Sequence, residues 1–200
     1  MDYGIELASS FEPDLFRDER VVWAGQPDHR FRLTPADVFL VPFSLIWGGF
    51  ALFWEAGVLG LFATQPNAIF TPFALFGIPF VVIGQYLIWG RFIYRSYRAR
   101  RTYYAVTTKR VLILTLMRAR NLQSLSLDQI PSITKSVRRD GSGSLIFAPL
   151  PNWVGAYANS GMEAFGSAAA GFVPAFNDIK EVDSVYQLVL RQKNELPQSA

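Results

Sequence analysis

Two uninterrupted apolar stretches, joined by the short link Thr64–Ala68, occupy much of the first half of this 200-residue chain. Val38–Ala63 contains one acidic side chain, Glu55, and no basic one, and Ile69–Gly90 carries no charge. About 20 residues of α-helix, rising ~1.5 Å each, cover a ~30 Å hydrocarbon core, so each stretch is long enough to cross a bilayer. The expectation is a transmembrane helical hairpin over residues 37–94, with spans at about 38–63 and 69–90. A segment over 1–36 precedes it and a folded domain over 101–195 follows.

Charge distribution sets the expected orientation. Arg91, Arg95, Arg98, Arg100 and Arg101 follow the second stretch, Arg30 and Arg32 precede the first, and the link TQPNA is uncharged. Positive flanks stay on the cytoplasmic side, so both termini are expected there. Met1–Phe11 is acidic and has no basic n-region, so it does not read as a cleaved signal peptide. Trp54 and Trp89 are expected at span ends as interfacial anchors, with Trp47 a further candidate. Glu55 lies 17 steps beyond Val38, roughly 26 Å along a helix, and is expected near the outer interface where it reaches water. Pro42, Pro72 and Pro79 are expected to kink or bound the spans.

Outside the apolar stretches the pattern turns to strands. Glu19–Trp23 reads as a short extended piece that ends in a turn at Ala24-Gly25-Gln26-Pro27. Tyr103–Val106 and Arg110–Leu116 are rich in β-branched and aromatic residues and flank the polar break Thr107-Thr108-Lys109, which predicts a hairpin. Alternation over Leu122–Asp128, a further strand at Ile130–Val137, a tight turn at Asp140-Gly141-Ser142-Gly143 and a return at Ser144–Phe147 extend the series. Residues 148–171 read as a long glycine-rich loop with a short helix around Gly161–Ala170, and Phe172–Phe176 as a last strand. A final amphipathic helix through Arg191 is expected from Ile179, Val182, Tyr186 and Val189, capped by Asn177 or by Asp178 paired with Glu181.

Strands in series followed by one C-terminal helix give an α+β membrane protein. Trp23-Ala24-Gly25-Gln26-Pro27 before the spans, and Tyr104-Ala105-Val106-Thr107-Thr108-Lys109-Arg110-Val111-Leu112-Ile113 after them, add a further likeness. Asp140-Gly141 with Ile146-Phe147, and Phe176 with Ile179 and Val185-Tyr186, complete it. Over most of its length the chain resembles bacterial membrane-anchored proteins with a pleckstrin-homology (PH)-like domain behind a two-helix hairpin. The resemblance implies a PH-like β-barrel or sandwich capped by a C-terminal helix, in the bacterial inner membrane. It brings no catalytic residues. The loop over 148–171 departs from that family in length and glycine content.

Chemistry-bearing motifs are sparse. The absence of cysteine excludes disulfides, thiolate zinc sites and cysteine nucleophiles. His29 is the sole histidine, and its setting between Asp28 and Arg30 reads as a solvated turn. Gly141-Ser142-Gly143 lacks the strand–turn–helix context and following lysine of a phosphate loop and reads as a hairpin turn. Asp178, Glu181 and Asp183 read as capping and solvated positions. No catalytic, metal or cofactor site is expected, and no nucleic-acid or small-molecule substrate.

The basic bias is the strongest signal outside the spans. Arg91–Arg139 holds twelve basic residues against Asp128 alone, whereas the first 37 residues carry eight acidic and four basic side chains. Two functional readings follow. The first is a non-enzymatic interaction module, an accessory, assembly or scaffolding subunit that binds a membrane protein complex or itself. Anchoring raises effective concentration, so weak contacts suffice. The second is a sensor of anionic lipid headgroups at the cytoplasmic leaflet through Arg98, Arg101, Lys109, Arg110, Arg118 and Arg120.

Overall fold

Two helices long and apolar enough to cross a membrane carry an α+β unit built on two antiparallel sheets. The computed structural model describes residues 7–30, 32–64, 70–149, 159–162 and 173–196. In chain order these form β1 (Val21–Gly25), α1 (Asp37–Thr64), α2 (Phe70–Gln85), a π-helical turn (Tyr86–Gly90) and α3 (Arg91–Ala99). There follow β2 (Thr102–Thr107), β3 (Arg110–Leu116), β4 (Arg120–Ser126), β5 (Thr134–Val137), β6 (Gly143–Ile146), β7 (Ala175–Ile179) and α4 (Val182–Glu195).

The hairpin is a seam with apolar outer faces. Pro42 and Pro79 both lie within helices rather than at their ends. The helices approach most closely where Gly48 faces Gly84: a Cβ on Gly84 would sit 2.9 Å from the Gly48 Cα. Trp47 packs in this seam against Phe80, at 6.0 Å between ring centroids, rather than outward as an anchor. Trp54 and Trp89 are exposed. Glu55, expected near the outer interface within reach of water, is half-buried. Its carboxylate lies against Gly77, and Oε2 is buried without a hydrogen-bond partner among the described residues. Only the missing side chain at Gly77 makes room for it.

The first sheet has the order β1-β2-β3-β4 and the second β5-β6-β7. β1 pairs antiparallel with β2, with Ala24 opposite Ala105 and Gly25 opposite Tyr104. Hence Gly25 closes a strand rather than opening a turn, and the segment before the hairpin joins the sheet that follows it. β2 and β3 are buried on both faces, which explains their near-continuous apolar runs. One face places Tyr104, Val106, Val111 and Ile113 in the main core with Leu145, Phe147, Phe176 and the α4 residues Val182, Val185 and Val189. The other holds Ala105, Leu112 and Leu114 against Phe11, which is fully buried.

Ion pairs fasten the N-terminal segment to this second face. Arg110 Nε donates to Glu19 Oε1 at 2.8 Å, and Thr107 Oγ1 donates to the same oxygen at 2.6 Å. Lys109 pairs with Asp18 and Arg120 with Asp14. Burial pushes the Glu19 carboxyl up, but hydrogen bonds from Arg110, Thr107 and the Phe16 N–H more than reverse this, so it sits below its ordinary value.

Several strand boundaries differ from the sequence reading. Only Thr134–Val137 of the Ile130–Val137 run is a strand, and Ile130 instead fills the core. The last strand is Ala175–Ile179. Asp178 belongs to that strand, accepting Asn159 Nδ2 at 2.7 Å and pairing with Arg138, and so does not cap the final helix. Glu181 holds the N-cap position in the left-handed region at φ 51°, with no side-chain cap bond. In the β5–β6 turn only Gly141 takes positive φ, at 75°, while Asp140 acts through its carboxylate, which accepts the Ser142 N–H at 3.1 Å. Most of the expected loop and short helix over 148–171 lies outside the described residues.

Phe11→Ala is expected to destabilise the full chain in detergent micelles by about 3–5 kcal/mol in denaturant titrations, the cost of emptying a buried phenylalanine site. Glu19 adds a pH dependence. Its contribution is complete above its ordinary pKa of 4.5 and is lost as pH falls through the lower native value. Glu19→Gln should therefore flatten the acid limb of the stability profile, and an unchanged limb would contradict this role.

Candidate functional site

The polar groups of the chain converge where the hairpin meets the sheets. Thr34-Pro35-Ala36-Asp37 opens α1 with half of a capping box: Asp37 Oδ2 accepts the Thr34 N–H at 2.5 Å and its Oγ1–H at 2.8 Å. The other Asp37 oxygen accepts from Arg91 Nη1. Arg91 is fully buried, and its Nε donates to the Leu87 carbonyl at 2.8 Å. Arg95 Nη1 lies 3.5 Å from Asp37 Oδ2. Sequence reasoning treated Arg91 as a flanking charge. It is instead the bolt that holds the base of one helix to the base of the other.

The π-helical turn at Tyr86–Gly90 contributes to this geometry. One extra residue in a turn rotates all that follows, and such turns recur at functional sites. Arg91 comes directly after it and points inward, while Trp89 Nε1 bonds Gln85 Oε1 at 3.0 Å on an exposed face. Residues 159–162 strap the junction. Tyr86 Oη donates to the Gly161 carbonyl. Gly161, at φ 89°, lies so close that a Cβ would sit 2.7 Å from the Arg91 carbonyl oxygen. Asn159 ties the same strap to β7 through Asp178.

Beside this bolt lies a cavity of about 300 Å³, between α3, the segment after β1, and the sheets. Its wall includes His29, Arg30, Arg32, Arg95, Arg98, Asp28 and Asp178, with Phe92, Ile113 and Tyr104 as apolar ground. Arg32 is held by Asp28 and Asp140, each at 2.8 Å. Hydrogen bonds from Ser142 and Arg32 keep the Asp140 carboxyl far below its ordinary value. Burial pushes the Tyr104 hydroxyl up to about 12. It stays neutral and accepts the Asn177 N–H at 3.0 Å.

The residues read from sequence as an anion site do not share one surface. Arg98 lines the cavity. Arg101 stacks over the Tyr97 ring at 4.5 Å. Lys109, Arg110 and Arg120 each face a carboxylate of the N-terminal segment, and Arg118 is exposed near the β3–β4 turn. His29 is exposed at the cavity rim. Sequence reasoning missed Asp37 and the pairing role of Arg91. The Thr-x-x-Asp pattern ahead of an apolar run was the available signal. Among the described residues, no group of three or more His, Asp or Glu side chains could hold a metal ion. The chain matches no protein-family model, no curated protein and no solved structure.

A charge buried without its partner is costly, so Arg91→Met should destabilise the chain by about 3–5 kcal/mol. Asp37→Asn keeps a cap acceptor but removes the anion. In a double-mutant cycle, read by thermal unfolding in detergent, the pair should lose clearly less than the sum of the single losses. Additive losses would show that the two side chains do not act as a pair.

Proposed function

We propose that this chain is a two-span protein of the bacterial inner membrane, with both flanks in the cytoplasm and a PH-like domain held at the leaflet. In this reading it works as a non-enzymatic interaction module, an accessory or assembly subunit that engages a membrane protein partner or a second copy. The observation that carries the reading is the outer surface of the hairpin. Phe39 is 63%, Ile46 74%, Phe53 78% and Phe76 65% exposed. An apolar surface of this extent requires lipid or another protein against it.

Three further features support the reading. Pairing between β1 and β2 puts both flanks of the hairpin on one side, and the arginine excess around α3 favours the cytoplasmic side. A four-stranded and a three-stranded antiparallel sheet with a C-terminal helix suit a PH-like domain. Gly49, Gly57 and Gly60 have open space where a side chain would be, which leaves α1 a shallow surface for a neighbouring helix. The module reading gains over lipid sensing through Lys109, Arg110 and Arg120, because carboxylates of the same chain already face those three groups.

Photo-crosslinking amino acids placed at Phe53 and Ile78 test this in intact membranes. A discrete adduct with one membrane protein, or with a second copy, is expected at one or both positions. Adducts with lipid alone at both would contradict an interaction module.

A further inference from the structure

Between Val38 and Gly90 the chain carries one acidic side chain, Glu55, and no lysine, arginine or histidine. Its carboxylate fills the notch that Gly77 leaves on α2, where a Cβ would overlap it. Oε2 is buried there, and among the described residues no group donates to it. Other polar side chains of the helices find partners locally: Ser44 Oγ donates to the Val41 carbonyl at 2.8 Å, and Trp89 Nε1 to Gln85 Oε1 at 3.0 Å. Trp47 Nε1 is a buried donor with no acceptor among the described residues. It lies eight residues from Glu55 along α1, about 12 Å, and so out of reach.

Depth makes the missing partner costly. Glu55 lies about 7 Å from the midpoint of α1, within a ~30 Å hydrocarbon layer centred on that helix. Carboxylates at such a depth are paired or face a polar cavity. The residue is half-buried, so its carboxyl stays open on one side of the seam. Leu52 and Leu59, one turn to either side of it on α1, are exposed. Ala74 and Val81, one turn to either side of Gly77 on α2, are half-buried. An incoming helix therefore meets an apolar border around a single acceptor.

Charge decides what that helix must bring. A second copy inserted the same way round offers another carboxyl at the same depth and no cation, so it leaves Glu55 uncompensated. A spanning helix with a buried lysine or arginine supplies what the seam lacks, and its own cation gains the partner that hydrocarbon denies it. We propose that Glu55 is the intramembrane docking point for a lysine or arginine on a spanning helix of a different membrane protein. This rests on the reading of the chain as a membrane-spanning interaction module and deepens it: a foreign partner is selected over a second copy, and the side chain that is recognised is named.

A synthetic spanning helix of about 23 leucines and alanines, with one lysine at its middle, is the probe. The full chain, labelled through Gln65→Cys, is reconstituted with this helix or its all-apolar counterpart in phosphatidylcholine vesicles, and association is read by energy transfer. The lysine helix should associate about fivefold better than its counterpart, and Glu55→Gln should abolish that preference. Equal association of both helices, or a lysine preference that Glu55→Gln keeps, would overturn the contact. Energy transfer between copies of the chain that falls in Glu55→Gln, with the lysine helix showing no preference, would reassign the carboxyl to self-association and overturn it too. Circular dichroism of the vesicles checks that Glu55→Gln is folded, and Glu55→Ala replaces it where it is not. The underlying readings fail separately. A chain released from its membranes by alkali refutes the bilayer placement, and lipid-only adducts at Phe53 and Ile78 refute the module. A protein adduct at either position without a lysine preference refutes the Glu55 contact alone.

Discussion

The hydrogen bonds between β1 and β2 join two segments that the helical hairpin separates in sequence, and the remaining architecture depends on them. Val21 pairs with Thr107 and Gly25 with Tyr104, so the chain must leave the sheet, run out and back as α1 and α2, and return to the neighbouring strand. Both flanks of the hairpin therefore lie on one side, whatever surrounds the helices. The loop closure this demands is offset by the second face of the sheet, where Phe11 covers Ala105, Leu112 and Leu114. Without that segment, two central strands would expose an apolar face to water.

A second constraint follows from the first. Helices rooted in one sheet at both ends need a fixed spacing at their bases. Asp37 and Arg91 provide it, with side chains 1% and 0% exposed. Buried ion pairs contribute little net stability compared with apolar packing, but they penalise wrong arrangements heavily. Here the arrangement specified is the register of α1 against α2, reinforced where Gly48 meets Gly84. The strap at Ser160 and Gly161 links this register to β7, so the hairpin and the two sheets share one polar junction.

Much of this was legible in the sequence, for identifiable reasons. The apolar stretches are long and nearly free of charge, so both helices were evident, and β-branched runs around Thr107-Thr108-Lys109 marked β2 and β3. Long-range electrostatics was not legible. The opposite charges of the N-terminal segment and of the basic stretch after the hairpin were evident, but not which side chains would meet. Only the fold reveals Asp14, Asp18 and Glu19 matched to Arg120, Lys109 and Arg110. The β-branched runs of β2 and β3 marked a hairpin, but not that both faces are covered or that Phe11 covers one of them. Local capping rules misled at Asp178, where a strand position and the Arg138 partner outweighed the pattern. Arg91 was hidden for the opposite reason: an arginine next to an apolar stretch is usually solvated, and the π-helical turn that rotates it inward has no sequence signature.

The central claim, a spanning hairpin with both flanks in the cytoplasm, has a direct measurement because the chain contains no cysteine. Single cysteines at Arg17, Gln65 and Asn194 would be probed with a membrane-impermeant maleimide in spheroplasts, before and after lysis. Labelling of Gln65→Cys in intact spheroplasts, with Arg17→Cys and Asn194→Cys labelled only after lysis, is the expected result. Labelling of either flank from outside, or protection of all three positions until lysis, would contradict it.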